Sequence, residues 1–143
     1  MIGSTTRFKI PDASLHALTA MTRNKDEDAY RKYLQDITYC LVPAAVRHVV
    51  VEARTAVGPV VMVDDLLCCK KFDITEQAHA ITLPTLVICG SEDDKTPVED
   101  AHVLANKIVG AREVIIDEGT HSVFLERPRE VNEAIRKFLS SLR

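Results

Sequence analysis

The fold is decided by the stretch Thr85-Leu86-Val87-Ile88-Cys89-Gly90-Ser91-Glu92-Asp93, an apolar run followed at once by a polar loop. A second run, Val114-Ile115-Ile116, is followed by the loop Gly119-Thr120-His121-Ser122. Short, continuous apolar runs bounded by turn residues are typical of strands buried on both faces, as in parallel sheets. The residues between the two runs follow a helical pattern, so the sequence predicts a strand–helix–strand unit with parallel strands.

The two loops carry the residues best suited to catalysis, Asp93 in the first and His121 in the second. Parallel strands point the same way, so both loops leave the same edge of the sheet, where open α/β sheets place their sites. The topology therefore predicts that these two side chains meet, although they lie far apart in the sequence. Asp94 is an alternative to Asp93 for the same role. The histidines without a comparable context are His16, His48, His79 and His102.

The composition fits one globular domain and argues against several classes of protein. The chain has 143 residues, of which 46% are hydrophobic and 27% are charged, unlike a disordered chain. The net charge is -3 and Lys and Arg are not clustered, which argues against nucleic-acid binding. The longest apolar stretch, residues 49–63, is interrupted by charged residues, Gly and Pro. We therefore expect no membrane span, and the N-terminal residues show no signal-peptide pattern.

The cysteines argue for a reducing, cytoplasmic setting. They are Cys40, Cys68, Cys69 and Cys89, and no two of them form a C-x-x-C pair. Cys89 lies inside the first apolar run, where a free, buried thiol is expected. Adjacent cysteines such as Cys68 and Cys69 lack the usual spacing of zinc ligands, so we predict no metal site.

Helical patterns fill the chain before the first apolar run. We predict helices from about residue 11, over 26–40, over 43–56 and over 60–71, although β-branched residues in the last two favour strands locally. Thr96-Pro97-Val98-Glu99 matches a capping box, with Thr96 as the N-cap of the helix between the runs. Pro128 begins a final helix with the clearest amphipathic pattern in the chain.

These features together resemble the C-terminal half of an α/β-hydrolase. The residues that carry the resemblance are 84–93, Thr96-Pro97, Gly119-Thr120-His121 and Leu125-Glu126-Arg127-Pro128. The resemblance implies an α/β class with a partial α/β-hydrolase fold, in which a helical cap is followed by strand, helix, strand and helix. Residues 1–6 would be the end of a core strand, residues 7–72 the cap or lid, and residues 73–143 the C-terminal part of the core.

The resemblance also implies roles for the two candidate residues. Asp93 would be the acid and His121 the general base of a Ser-Asp-His triad, while Glu126 would support the histidine loop or cap a helix. The complete enzyme would hydrolyse a small carboxylic ester or a related acyl or C–C bond, and no cofactor is implied. The nucleophile pattern G-x-S-x-G occurs nowhere in the 143 residues. We therefore expect the isolated chain to be inactive.

Two strands and the strand end expected in residues 1–6 leave sheet edges and apolar surface open. We therefore expect the chain to bind a partner, either a second copy of itself or a complementary N-terminal half on another polypeptide. An ester is the expected small-molecule ligand. A non-catalytic interaction or scaffold module built on the same fold is the alternative function.

Overall fold

The computed structural model describes residues 1–37 and 43–142. The chain divides into two compact units. The first, which we call the sheet unit, consists of Met1–Phe8 and Asp73–Arg143. The second, the helical unit, consists of Lys9–Phe72. Both candidate site residues belong to the sheet unit.

The described residues of the helical unit form four helices. They are α1 (Asp12–Asn24), α2 (Glu27–Ile37), α3 (Ala44–Val57) and α4 (Pro59–Lys71). Leu18, Tyr30, Leu34 and Val51 form its buried core. Because these apolar residues recur at helical spacing on α1, α2 and α3, each helix buries one side, and none of the described charged residues of these helices is buried.

The helix bounds differ slightly from the sequence-based expectations. The C-terminal end of the predicted helix 26–40, including Cys40, lies outside the described residues. The valines of α3 form a helix despite their β-propensity, because Val51 is only 3% exposed within the core while Val49 points outward at 65% exposure. Tertiary burial therefore overrides local propensity there.

The sheet unit carries two strands and three helices in the order strand, helix, strand, helix, helix. They are β1 (Leu86–Gly90), α5 (Val98–Lys107), β2 (Arg112–Ile116), α6 (Val123–Glu126) and α7 (Pro128–Ser140), and a short 3-10 helix (Ala78–Ala80) precedes them. The strands are parallel, with Leu86 opposite Arg112 and Gly90 opposite Ile116. The predicted partial α/β-hydrolase fold with parallel strands is confirmed.

The side chains of β1 alternate between two buried layers. Val87 and Cys89 pack with α5, and Leu86 and Ile88 pack with α6 and α7. Successive residues of a strand face opposite sides of the sheet, so a strand covered on both faces must be apolar throughout. All five residues of β1 are buried accordingly.

The first residues of the chain pair with the edge of β1 that β2 leaves free. Ile2 lies opposite Ile88 in a parallel bridge. The Gly3 amide donates to the Ile88 carbonyl at 2.9 Å, and the Ile88 amide donates to the Met1 carbonyl at 2.8 Å. The strand β1 therefore has a hydrogen-bonded neighbour on each side.

The predicted capping box at the start of α5 is wrong. The N-cap is Pro97, and no side chain caps this helix. The Thr96 hydroxyl donates instead to Asp93 Oδ2 at 2.8 Å. The helix begins one residue later than predicted, with Pro97 as the N-cap, so Thr96 lies outside the position from which a side chain reaches the free amides of the first turn.

No helix within residues 1–37 and 43–142 is long and apolar enough to cross a membrane.

The thiols of this chain should differ sharply in reactivity. Cys89 is buried, and burial, followed by the negative charge of Asp93, raises its pKa to about 11. Cys68 is exposed. Since the thiolate is the reacting form, a disulfide reagent at pH 8 should label Cys68 in the native protein and Cys89 only after denaturation in urea. Mass spectrometry of the digested protein measures both, and rapid native labelling of Cys89 would contradict the buried strand.

Candidate active site

Asp93 lies in the loop that follows β1, with its side chain fully buried. Its Oδ1 accepts the backbone amides of Lys95 and Thr96, each at 2.9 Å. Its Oδ2 accepts the Thr96 hydroxyl at 2.8 Å. A buried carboxylate requires such partners, because an uncompensated charge inside a protein is very costly.

His121 lies in the loop that follows β2 and meets Asp93 at the carboxyl edge of the sheet. Its Nδ1 is 3.0 Å from Asp93 Oδ2 and 3.2 Å from Oδ1. The imidazole side chain remains 44% exposed, while the carboxylate beside it is inaccessible. The structure thus brings together the two residues that the parallel topology was expected to join.

The contacts of Asp93 favour its ionised form. Burial on its own raises the pKa of this carboxyl, but the hydrogen bonds from His121 and Thr96 outweigh burial, so the pKa is lowered. Asp93 is therefore an anion at neutral pH, and Nδ1 of His121 faces it as a hydrogen-bond donor.

Asp94, the alternative acid, lies in a different environment. Its side chain is 74% exposed and its Oδ2 is paired with the Lys95 ammonium at 2.9 Å. The structure gives it no hydrogen bond to His121. The geometry therefore favours Asp93 over its neighbour.

Two glycines allow the acid loop and the histidine loop to touch. A Cβ atom on Gly90 would lie 2.2 Å from the carbonyl oxygen of Gly119, closer than any real contact. Across this approach the Glu92 amide donates to the Gly119 carbonyl at 2.8 Å. The Glu118 amide also donates to the Ser91 hydroxyl at 2.9 Å. The two loops are thus held as one rigid rim, since neither can move without breaking these bonds.

Glu126 anchors the histidine loop from below, in the supporting role expected from the sequence. Its carboxylate accepts the Thr120 amide at 2.7 Å and the Thr120 hydroxyl at 2.5 Å. Because Thr120 precedes His121 directly, these two bonds fix the backbone from which the imidazole projects.

The sequence did not predict that Gly3 and Thr96 contact His121. Gly3, with a positive φ of 54°, lies so close that a Cβ there would be 3.4 Å from His121 Cε1 and Nδ1. Thr96 Oγ1 lies 3.3 Å from His121 Nδ1. No local pattern signals the contact of Gly3, because residues 1–3 reach the imidazole only through their pairing with β1. For Thr96 the capping-box pattern predicted a different role, that of a helix cap.

Within residues 1–37 and 43–142, no group of three or more His, Cys, Asp or Glu side chains is arranged to hold a metal ion.

Comparison with known proteins decides the family. An α/β-hydrolase family model, described as TAP-like protein, matches residues 56–143, which is more than half of the chain. The chain belongs to the α/β-hydrolase family. The resemblance stated from the acid and histidine loops is therefore confirmed.

Sequence relatives of this α/β-hydrolase chain match about half of it. Monoacylglycerol lipase abhd6-A of Xenopus laevis is 38% identical over 72 residues, which cover 50% of this chain and 21% of the relative. A proline iminopeptidase of Saccharolobus solfataricus is 34% identical over 73 residues, which cover 51% of this chain and 23% of the relative. The chain thus spans about a fifth of the length of these curated relatives.

Solved α/β-hydrolase structures match almost the whole chain but only part of themselves. A bromoperoxidase from Bacillus anthracis matches with a TM-score of 0.79 at 22% identity, covering 97% of this chain and 56% of that one. A thermophilic esterase matches with a TM-score of 0.72 at 26% identity, covering 98% of this chain and 54% of that one. The fold of this chain is therefore a partial α/β-hydrolase fold.

Substitution of Gly90 should destabilise the rim of this α/β-hydrolase site. In Gly90→Ala the new Cβ meets the Gly119 backbone, which cannot yield as a flexible side chain would, so the free energy of unfolding should fall by about 3 kcal/mol. Gly110→Ala is the matched control, because only its positive φ opposes a side chain and no atom lies within 4 Å, at a cost of about 1 kcal/mol. Urea unfolding measures both. Equal losses would contradict the close approach of the loops.

The lowered pKa of Asp93 should appear in the acid sensitivity of the protein. The unfolded carboxyl has a pKa of about 3.9. The folded pKa is lower, so the stabilisation is fully present above the unfolded value and is lost as the pH falls through the folded value. The difference in unfolding free energy between wild type and Asp93→Asn should therefore shrink between pH 5 and pH 2.

Asp94→Asn is the control for this measurement, because that carboxylate lies outside the buried network. This variant removes one carboxylate of the same loop without touching the buried network, so it reports the effect of the charge change alone. A wild type and an Asp93→Asn variant that lose stability in parallel would show that the folded pKa is not lowered.

Proposed function

We propose that Asp93 and His121 are the acid and the general base of a Ser-Asp-His triad, in an enzyme that hydrolyses small carboxylic esters or related acyl or C–C bonds. The observation that carries the proposal is the 3.0 Å contact between the buried carboxylate and Nδ1 of a half-exposed imidazole. The two groups follow adjacent parallel strands, and loops at that edge are where such sheets place catalytic residues.

The geometry suits the chemistry of the acylation step. With Nδ1–H donated to the carboxylate, Nε2 carries the lone pair and can take the proton of a nucleophilic hydroxyl as its oxygen bonds to the substrate carbonyl carbon. The imidazolium that forms is stabilised by Asp93. It then returns the proton to the leaving alkoxide as the ester bond breaks, and water hydrolyses the acyl-enzyme by the same route.

The substrate class is supported by the relatives. Their names include a monoacylglycerol lipase and a thermophilic esterase, and the proline iminopeptidase extends the acyl group to peptides. An ester is the simplest substrate in which a serine, an imidazole and a carboxylate perform both steps. The proposed triad requires no cofactor.

The nucleophile in this proposal comes from a complementary half of the fold. An apolar groove of about 440 Å³ lies beside residues 1–2, and Leu83 at its side is 74% exposed. Its lining residues are Met1, Ile2, Ile81, Leu83, Pro84, Thr85, Leu86, Ile88, Ile135, Phe138 and Leu139. Solved relatives contain a further half of chain that this one does not match, which supports that half, rather than a second copy, as the occupant.

Complementation tests the proposal. The chain is co-expressed with an upstream α/β-hydrolase half that carries a G-x-S-x-G nucleophile, and hydrolysis of 4-nitrophenyl acetate by the purified complex is measured. We expect turnover that falls by about 10³-fold or more in His121→Ala, because the general base is lost. His79→Ala, an exposed histidine of the same unit, should retain full activity.

Two other outcomes would each refute a different part of the proposal. A stable complex without turnover would refute the triad and favour the scaffold function. A chain that forms homodimers and ignores the complementary half would refute the proposed source of the nucleophile. The isolated chain should show no turnover above the buffer rate.

A further inference from the structure

We propose that Thr96 is a positioning residue of the site, whose buried hydroxyl holds the Asp93 carboxylate in place and keeps the Nδ1 side of His121 lined by acceptors alone. The inference deepens the proposed function. It rests on that function only in taking His121 to be the general base. The arrangement itself is a property of this chain and can be measured without turnover.

The first support is the hydrogen-bond partner of the Thr96 hydroxyl. Thr96 occupies the position where the sequence predicts the cap of α5, yet that helix has no side-chain cap. Its hydroxyl proton goes to Asp93 Oδ2, the carboxylate oxygen that also lies 3.0 Å from His121 Nδ1.

The second support is how the carboxylate is held. Its Oδ1 is fixed by the amides of Lys95 and Thr96, so the rotation of the carboxylate depends on what holds Oδ2. Oδ2 accepts the Thr96 hydroxyl at 2.8 Å and lies 3.0 Å from His121 Nδ1. Thr96 is fully buried, so water cannot replace its hydroxyl. The hydroxyl therefore aims Oδ2 at the imidazole.

The third support is proton counting around Nδ1. Three oxygen atoms surround it: Asp93 Oδ2 at 3.0 Å, Asp93 Oδ1 at 3.2 Å and Thr96 Oγ1 at 3.3 Å. An ionised carboxylate only accepts, and the single hydroxyl proton is already given to Asp93. Since no atom of this set offers a proton to Nδ1, that nitrogen must carry one, and Nε2 is left as the base.

Other charged groups that face Asp93 do not replace this hydroxyl. The thiol of Cys89 on β1 has its pKa raised to about 11 and is neutral. The Lys95 ammonium is paired with Asp94. On α5, Glu99 is exposed and Asp100 accepts the Thr5 hydroxyl. Thr96 and His121 are thus the two side chains that contact Oδ2 of Asp93.

The test compares Thr96→Val with Thr96→Ser in the full chain. Valine keeps the shape and the backbone amide but removes the hydroxyl, whereas serine keeps the hydroxyl. Carboxyl carbon NMR follows the titration of Asp93. We expect the pKa of Asp93 to rise by about 1 unit in Thr96→Val, because a donor to the ionised form is lost, and to stay near wild type in Thr96→Ser.

A second readout concerns His121 itself. In wild type the Nδ1 proton should be visible by NMR at low temperature, since a held hydrogen bond slows its exchange with water. It should broaden in Thr96→Val and return in Thr96→Ser. A folded Thr96→Val protein with wild-type Asp93 titration and a sharp Nδ1 proton would overturn the proposal.

Wild type provides a measurement that does not depend on the folding of a variant. The Thr96 hydroxyl proton, buried and hydrogen-bonded, should shift with the same midpoint pH as the Asp93 carboxyl. A hydroxyl proton that ignores this titration would overturn the proposal as well. These results are independent of the complementation assay, so a failed triad and a failed role of Thr96 are told apart.

Discussion

The contact between the buried Asp93 carboxylate and Nδ1 of His121 is the interaction on which the site depends. A carboxylate without solvent must be surrounded by donors, and here every donor comes from a precise part of the chain: two amides of its own loop, one hydroxyl and one imidazole. The loop geometry, the position of Thr96 and the orientation of the histidine are consequences of satisfying that one charge.

The carboxylate and the imidazole can meet only because β1 and β2 are adjacent and parallel. Their carboxyl ends lie side by side, and Gly90 and Gly119 let the two loops come within backbone contact. Glu126 then secures the histidine loop through Thr120. These contacts hold the two loops together, and a fixed geometry of this kind is what the proposed general acid–base catalysis would require.

The sheet unit combines a complete acid–histidine pair with an incomplete sheet. Residues 1–3 cover one edge of β1 but offer their own outer edge, next to an apolar groove. Relatives of known structure extend well beyond the matched region. A partial fold that keeps an ionised, oriented carboxylate is consistent with the proposal that further polypeptide completes the site.

The sequence by itself determined the parallel strands, the acid and histidine loops and the family, because apolar runs, turn residues and their order are local signals. It also set four helices before the first full strand, although the end of the second lies outside the described residues. Only the tertiary structure decided that Asp93 rather than Asp94 faces His121, that Gly3 lies against the imidazole, and that Thr96 serves a carboxylate instead of capping α5. The first two depend on contacts between groups distant in sequence, which form only when the strands are brought together, and the third depends on the residue at which α5 begins.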